Sequence, residues 1–347
     1  MQKANIINHI KKLLYYSGSV KVARIFGKNG KHARILTYHS ISEEANYCPN
    51  SIALPQHLFK AQLKFLAEHY QVISLDDLVQ CINKGSRFPD NAVVLTFDDG
   101  YKDNYEHAYP LLQETGITAT FYITTSPILN KSQFWVAWIQ EKISLANIAT
   151  IEKLVSQFNA PKQINGDKTD LQALIDFVSS EINRSDLNKR NKLLDEVAAT
   201  LETDSPLNST GTCMMNTDQV REMAQNGMTI AAHTETHPIL TSISDDDIKR
   251  EITTSRDILR EITDTPINHF SHPNGPGVIN HSQHTAKLIK EAGFHSAVTS
   301  VRGTTDISTN PFLLRRQGIH FSMDTPAFAF KLEEHQFSNL LFNYQLN

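Results

Sequence analysis

A buried-strand run that stops on two carboxylates does most to limit what this chain can become. In Val93-Val-Leu-Thr-Phe97 every residue is apolar or β-branched, and Asp98, Asp99 and Gly100 follow at once. Such a run climbs out of a core. Consecutive strand side chains point to opposite faces, so neighbouring aspartates serve one site only where the backbone leaves the strand. Gly100 permits that break, and both carboxylates then lean toward a pocket at the strand's C-terminal end. Taken alone, Asp-Asp-Gly is also an ordinary turn that ends a strand.

A second cluster lifts the stretch above that reading. His233-Thr-Glu-Thr-His237 follows another apolar, strand-like run, Met228-Thr-Ile-Ala-Ala232. Two histidines four apart on one turn hold their Cβ atoms about 5–6 Å from each other, close enough to share a divalent cation. Pro238 makes this a strand-to-loop turn rather than the start of a long helix. One aspartate with two histidines leaves a coordination position open, which suits a catalytic rather than a structural zinc.

Thr96-Phe-Asp-Asp-Gly-Tyr101 and His233-Thr-Glu-Thr-His237 resemble the first two motifs of the polysaccharide deacetylases, carbohydrate esterase family four, within residues 34–320. The resemblance implies an α/β fold, a distorted (β/α) barrel of about seven strands with its chemistry on the loops at strand C-termini. It implies Asp98 as general base, and Asp99, His233 and His237 as ligands of zinc, with cobalt or nickel as alternatives. The implied reaction removes N-acetyl groups from N-acetylhexosamine in a glycan or glycan precursor, the oxyanion facing the metal and the peptide N–H of Tyr101. A late Leu-x-x-His motif usually supplies the acid that protonates the leaving amine. Here Leu36-Thr-Tyr-His39 carries that spacing but precedes the aspartates, as in the circularly permuted branch of the family; His320 is the late alternative. A strand-end histidine beside Ser40 in an apolar run is costly unless used or paired, which favours His39.

The third motif departs from the family. Ser271-His-Pro-Asn-Gly275 lacks the arginine that orients the base, leaving Arg315, Arg316 or His272 as substitutes. Pro273 and Gly275 shape a loop along the groove, and Pro273, Asn274 and His272 are candidate substrate contacts. These departures keep two other readings open. One is an amidohydrolase or deformylase acting on a non-polymeric substrate; the other is a carbohydrate-binding protein without turnover.

Strand and helix patterns alternate along the chain, as in a parallel α/β sheet or barrel. Strands are expected over 34–39, 72–75, 93–97, 117–123, 228–232, 267–271, 295–300 and 313–320. Helices are expected over 55–66, 76–82, 103–114, 217–223 with Thr217 as cap, 244–262 and 284–292. Residues 131–212 break the rhythm and read as a mainly helical insertion beside or over the site. Trp135 and Trp138 within it read as its core rather than as sugar platforms. The organisation expected is a basic amphipathic segment over 1–33, a barrel over 34–330 and a C-terminal tail over 331–347.

A net charge of −4 with signs mixed throughout argues against a nucleic-acid-binding surface. Cys48, Cys81 and Cys213 are an odd, widely spaced set without a CxxC pair. They fit reduced thiols and a cytoplasmic protein, and none reads as a metal ligand. No apolar span reaches the ~18 residues of a membrane helix, and the secretory pattern is absent. The lysines and apolar residues of 1–34 form a stretch that either lies on an anionic membrane surface or packs on the barrel with its lysines in water.

Overall fold

The computed structural model of the chain describes residues 2–43, 47, 52–161, 168–208, 210–211, 213–321 and 323–341. Its strands are β1 (His32–Tyr38), β2 (Gln71–Val72), β3 (Ala92–Phe97), β4 (Thr120–Ile123), β5 (Thr229–Ala232), β6 (His269–Ser271), β7 (Ser296–Arg302), β8 (Thr305–Asp306) and β9 (Leu314–Gly318). Seven of them run parallel in the order β1-β3-β4-β5-β6-β7-β9, and the ring closes because β1 pairs with both β3 and β9. The short β2 extends the sheet beside β3, and β8 pairs antiparallel with β1. Every residue of β3 and β4 is buried, one face against the barrel interior and the other under helices. A strand covered on both sides has no reason to alternate apolar and polar residues, which is why these runs are continuous.

The helices that cover the barrel bury one stripe each. Asp245–Thr263 starts at Ser244, whose Oγ accepts from the N–H of Asp247, and three aspartates in its first turn complement the helix dipole. It turns Ile248, Ile252 and Leu259 inward. Two expected boundaries move. Asn216, not Thr217, caps Thr217–Gln225, because Asn216 and Gln219 close a reciprocal capping box one residue earlier. The helix expected over 103–114 is instead a π-turn, Asn104–Ala108, running into Tyr109–Thr115.

Residue 331 falls inside one continuous helix, Thr325–Leu341. Its Glu333, fully buried, pairs with Arg34 of β1 at 2.7 Å, while Arg34 Nε donates to the carbonyl of Leu332. Losing one partner of so buried a pair costs about 3–5 kcal/mol, so this helix is stapled to the barrel wall. The N-terminal helices Gln2–Tyr16 and Ser19–Phe26 pack against it. Among the described residues no helix is long and apolar enough to cross a membrane. Cys81 and Cys213 are free, half-buried thiols; Cys48 and residues 342–347 lie outside the described residues.

The insertion contains Trp135–Leu145, Ile148–Gln157, Lys168–Asn183 and Leu187–Thr200. These helices share a core of their own, in which Trp138, Ile139, Leu154, Leu174, Val178 and Leu194 are fully buried. Bridges between Ser132 and Thr210, and between Tyr101 and Met214, return both ends of the insertion to the barrel mouth. The module therefore sits over the C-terminal ends of the strands, where barrel chemistry is placed.

Candidate active site

β3 ends at Phe97, and the backbone breaks immediately after Asp98. Asp99 adopts a left-handed conformation at φ 77°, and Gly100 follows at φ 92°. Aspartate tolerates that region better than most residues, and glycine freely. Two successive left-handed residues turn both carboxylates toward one cavity of about 180 Å³ at the barrel mouth, which Asp98, Asp99, His233, His237 and His39 all line.

Asp99 Oδ1 lies 3.3 Å from His233 Nε2 and 3.4 Å from His237 Nε2. One donor atom from each of the three lies within 4.8 Å of the others, and all three residues are buried. His233 Nδ1 sits 2.8 Å from the carbonyl of Ser271, so it carries the proton and its Nε2 lone pair faces Asp99. Burial lowers the His237 imidazolium and favours the neutral ring, the form a ligand must take. Burial alone would raise the Asp99 carboxyl, but the His233 and His237 rings beside it hold it well below the usual range. Two imidazoles and a carboxylate converging in this way fit a divalent cation.

The turn that carries both histidines is held from outside. Glu251, 1% exposed, accepts the N–H groups of Glu235 at 2.9 Å and Thr236 at 2.8 Å, and the Thr236 hydroxyl at 2.5 Å. From the insertion, Arg190 donates to the Thr236 carbonyl and hydroxyl, and Trp135 Nε1 to the same carbonyl. Trp135 also meets the His237 ring edge-on at 6.3 Å and lines the cavity, so it is both core and wall; Trp138 is core alone.

Asp98 has a different partner. Arg316, on β9 two strands away across β1, grips it with Nη1 on Oδ1 at 2.7 Å and Nη2 on Oδ2 at 2.6 Å. The guanidinium is itself fixed by the Thr299 carbonyl, Thr96 Oγ1 and Ser271 Oγ. Burial pushes the Asp98 carboxyl up, and Arg316 overrides it, leaving the group below its ordinary value. Of the three substitutes for the missing arginine, Arg316 is the one in contact. Arg315 points to solvent, and His272 is buried between Phe270 and His281, where burial lowers its imidazolium to about 3.

His39 follows β1 and lines the cavity, and its Nδ1 makes no hydrogen bond among the described residues. His320 lies elsewhere, beside Lys11 and Lys331, and does not line the cavity. Asn274 lines the cavity, whereas Pro273 and the fully buried Tyr101 ring do not. The loop bearing His39 is tied down by Asp103. Its carboxylate accepts from Ser40 Oγ at 2.5 Å, Tyr47 Oη at 2.5 Å and the N–H of Ile41 at 3.1 Å, while Asn104 donates to the His39 carbonyl at 2.6 Å.

Asp103, Glu251 and Arg190 were not singled out from the sequence, yet two of them leave a signal in it. Glu251 shares an inward stripe with Ile248, Ile252, Ser255 and Leu259, and Arg190 one with Leu194, Val197 and Ala198. A charge at an apolar position of a helix marks a committed polar contact.

The family model for polysaccharide deacetylases matches residues 85–297. Bacillus subtilis YxkH, named as a polysaccharide deacetylase, is 31% identical over 147 residues, which are 41% of this chain and 50% of that protein. The Staphylococcus aureus poly-beta-1,6-N-acetyl-D-glucosamine N-deacetylase is 31% identical over 122 residues, 34% of this chain and 40% of that protein. The chain thus spans half or less of the length of these curated relatives. Among solved structures, the Streptococcus pyogenes deacetylase PplD in complex with acetate superposes with a TM-score of 0.57 at 19% identity, covering 87% of this chain and 98% of that one. IcaB from Ammonifex degensii gives 0.55 at 15% identity over 88% and 98%. At such identities the structural likeness is one of fold. The family match, by contrast, takes in more than half of the sequence together with Asp98, Asp99, His233 and His237, and the chain belongs to the polysaccharide deacetylase family.

Proposed function

We propose that this chain is a metal-dependent N-deacetylase acting on N-acetylhexosamine in a glycan or glycan precursor. The observation that carries the reading is the meeting, in one cavity, of the Asp99–His233–His237 trio, a second carboxylate locked by an arginine, and a histidine whose Nδ1 has no partner among the described residues. A divalent ion held by the trio, zinc by its ligand chemistry with cobalt or nickel able to substitute, would supply Lewis-acid polarisation of the acyl carbonyl and of the attacking water.

The remaining roles fall to the chain's own groups. Asp98 acts as general base. Each carboxylate oxygen has two acceptor sites; Oδ2 uses both, on Arg316 and Ser271, while Oδ1 uses one on Arg316 among the described residues. Oδ1 therefore keeps a site for the water's proton, and the bidentate clamp stops the carboxylate from rotating away. The peptide N–H of Tyr101 is assigned to the developing oxyanion, and Asn274 and Pro273, at and behind the cavity rim, to the sugar. His39 protonates the departing amine, for which its position in the cavity and its unengaged Nδ1 are the support. The Staphylococcus aureus relative, whose name states an N-acetyl-D-glucosamine polymer, supports the sugar class.

Acetate release from chitooligosaccharides and from acetylated nucleotide sugars, with zinc or cobalt added, tests this directly. Asp98→Asn is expected to abolish release while retaining metal, and His39→Ala to lose far more activity than His320→Ala. Full activity in Asp98→Asn, or the reverse order of the two histidines, overturns the assignments. No release by metal-loaded wild type from any acetylated substrate would instead favour the binding-protein reading.

Cytoplasmic placement with peripheral contact to an anionic membrane belongs to the same proposal. Free Cys81 and Cys213 support the compartment. Leu13, Tyr16, Ile25 and Phe26, exposed beside Lys12, Lys21 and Lys28, support the contact. Leu13→Glu/Phe26→Glu should reduce co-sedimentation with anionic liposomes; equal pelleting removes the contact.

A further inference from the structure

The helical insertion gives the cavity its shape, and that shape limits what can enter. Gln140, Ser179 and Asn183 line it from the insertion, each more than nine-tenths buried, with Asp176 at the rim. Buried amides and a hydroxyl facing an otherwise apolar roof suit a ring that carries hydroxyl groups. The facing wall is the loop after β6, through Asn274, Gly275 and Pro276. Roof and loop touch at two glycines. A Cβ at Gly275 would collide with the Asn183 amide, one at Gly277 with Ser180 Oγ, and Arg184 donates to the Gly277 carbonyl. On the adjoining side Arg190 and Trp135 close the roof onto Thr236. At about 180 Å³ the cavity is smaller than the ~300–1,000 Å³ of pockets that bury drug-sized ligands, so it has room for about one sugar ring.

We propose that the insertion turns this site into a dead-end pocket that accepts the terminal acylated residue of a glycan, or a single acylated glycoside, and excludes internal residues of a polymer. An internal residue needs two ways out for the chain; among the described residues, a roof packed onto the β5 and β6 loops blocks the way between them. The inference rests on the deacetylase reading for its chemistry but on wall geometry for its selectivity, and the two are separable.

The test uses the full chain loaded with zinc and N-acetylglucosamine oligomers of two to six residues, with the reducing end labelled by ¹⁸O. Mass spectrometry should find one acetyl group lost per oligomer, always from a terminal residue, whatever the length. Loss of several acetyl groups, or of internal ones, overturns the proposal. In parallel, Asp98→Asn protein titrated calorimetrically with the same oligomers should bind dimer and hexamer with equal Kd, and Asn183→Ala in that background should weaken both about tenfold, the value of one hydrogen bond to a buried group. Flat affinity without acetate release would uphold the pocket and remove the deacetylase reading. Affinity that climbs with length, as in a groove, or no binding at all, overturns the pocket.

Discussion

Glu251→Gln probes how two ligand histidines are held by a residue that touches neither. The carboxylate makes three bonds, two to peptide N–H groups through Oε2 and one to the Thr236 hydroxyl through Oε1. An amide has a single acceptor oxygen. If that oxygen replaces Oε2, the NH2 group faces Thr236 Oγ1, which already accepts from Arg190, and the hydroxyl proton loses its acceptor. One bond disappears and two lose their charge. With charged bonds worth about 1.5–3 kcal/mol and neutral ones about 1, the loss comes to about 2.5–7 kcal/mol. Urea unfolding of the metal-free chain reads that term. Competition with a chelator reads the second consequence, since loosening groups that orient metal ligands costs about 10–100-fold in affinity. A variant within about 0.5 kcal/mol of wild type, with unchanged metal affinity, would refute the claim that Glu251 sets the histidine turn.

Arg316→Met leaves Asp98 as a buried charge without its partner and should cost about 3–5 kcal/mol in urea unfolding; a change under about 1 kcal/mol would mean the pair is not what holds the carboxylate. Zinc at ~1,000 times its Kd should stabilise the wild type by about 4 kcal/mol, and chelator should reverse the gain; His237→Ala should show no zinc-dependent Tm shift, and a shift retained there excludes the trio. Burial raises the Asp103 carboxyl above its ordinary value, against hydrogen bonds from Ser40 and Tyr47. A raised acid holds its proton more tightly when folded, so its contribution is largest at low pH and is lost as pH rises through the folded value. The Tm of wild type minus that of Asp103→Asn should therefore fall from pH 4 toward pH 7; a constant or rising difference contradicts the burial argument.

The parts of the site that rest on local spacing could be read before any coordinates. Asp98, Asp99, His233 and His237 each follow a strand-like run, and a strand end is a local property. What fixes Asp98 could not be read in this way. Leu313 and Leu314 are both apolar, so the parity that would separate Arg315 from Arg316 is blurred, and only the barrel shows which arginine turns inward. His320 does not line the cavity: β9 ends at Gly318, and the residue lies beside Lys11 and Lys331 instead. The roof over the cavity was legible as an interruption of the strand–helix rhythm. Its polar lining was not, because which faces of four helices meet depends on packing rather than on period.

Ring closure carries a consequence for how this molecule can be divided. The strip of sequence from 85 to 297 holds every metal-facing group, yet β1, β9 and all but the first two residues of β7 lie outside it, and with them His39 and Arg316. Excised alone, that strip would be a cask short of two staves and most of a third: β3 and the two-residue stub of β7 would show bare hydrogen-bonding flanks to any neighbour, a known route to aggregation. Size-exclusion chromatography of the excised strip beside the full chain would reveal whether it stays monomeric, which this architecture forbids.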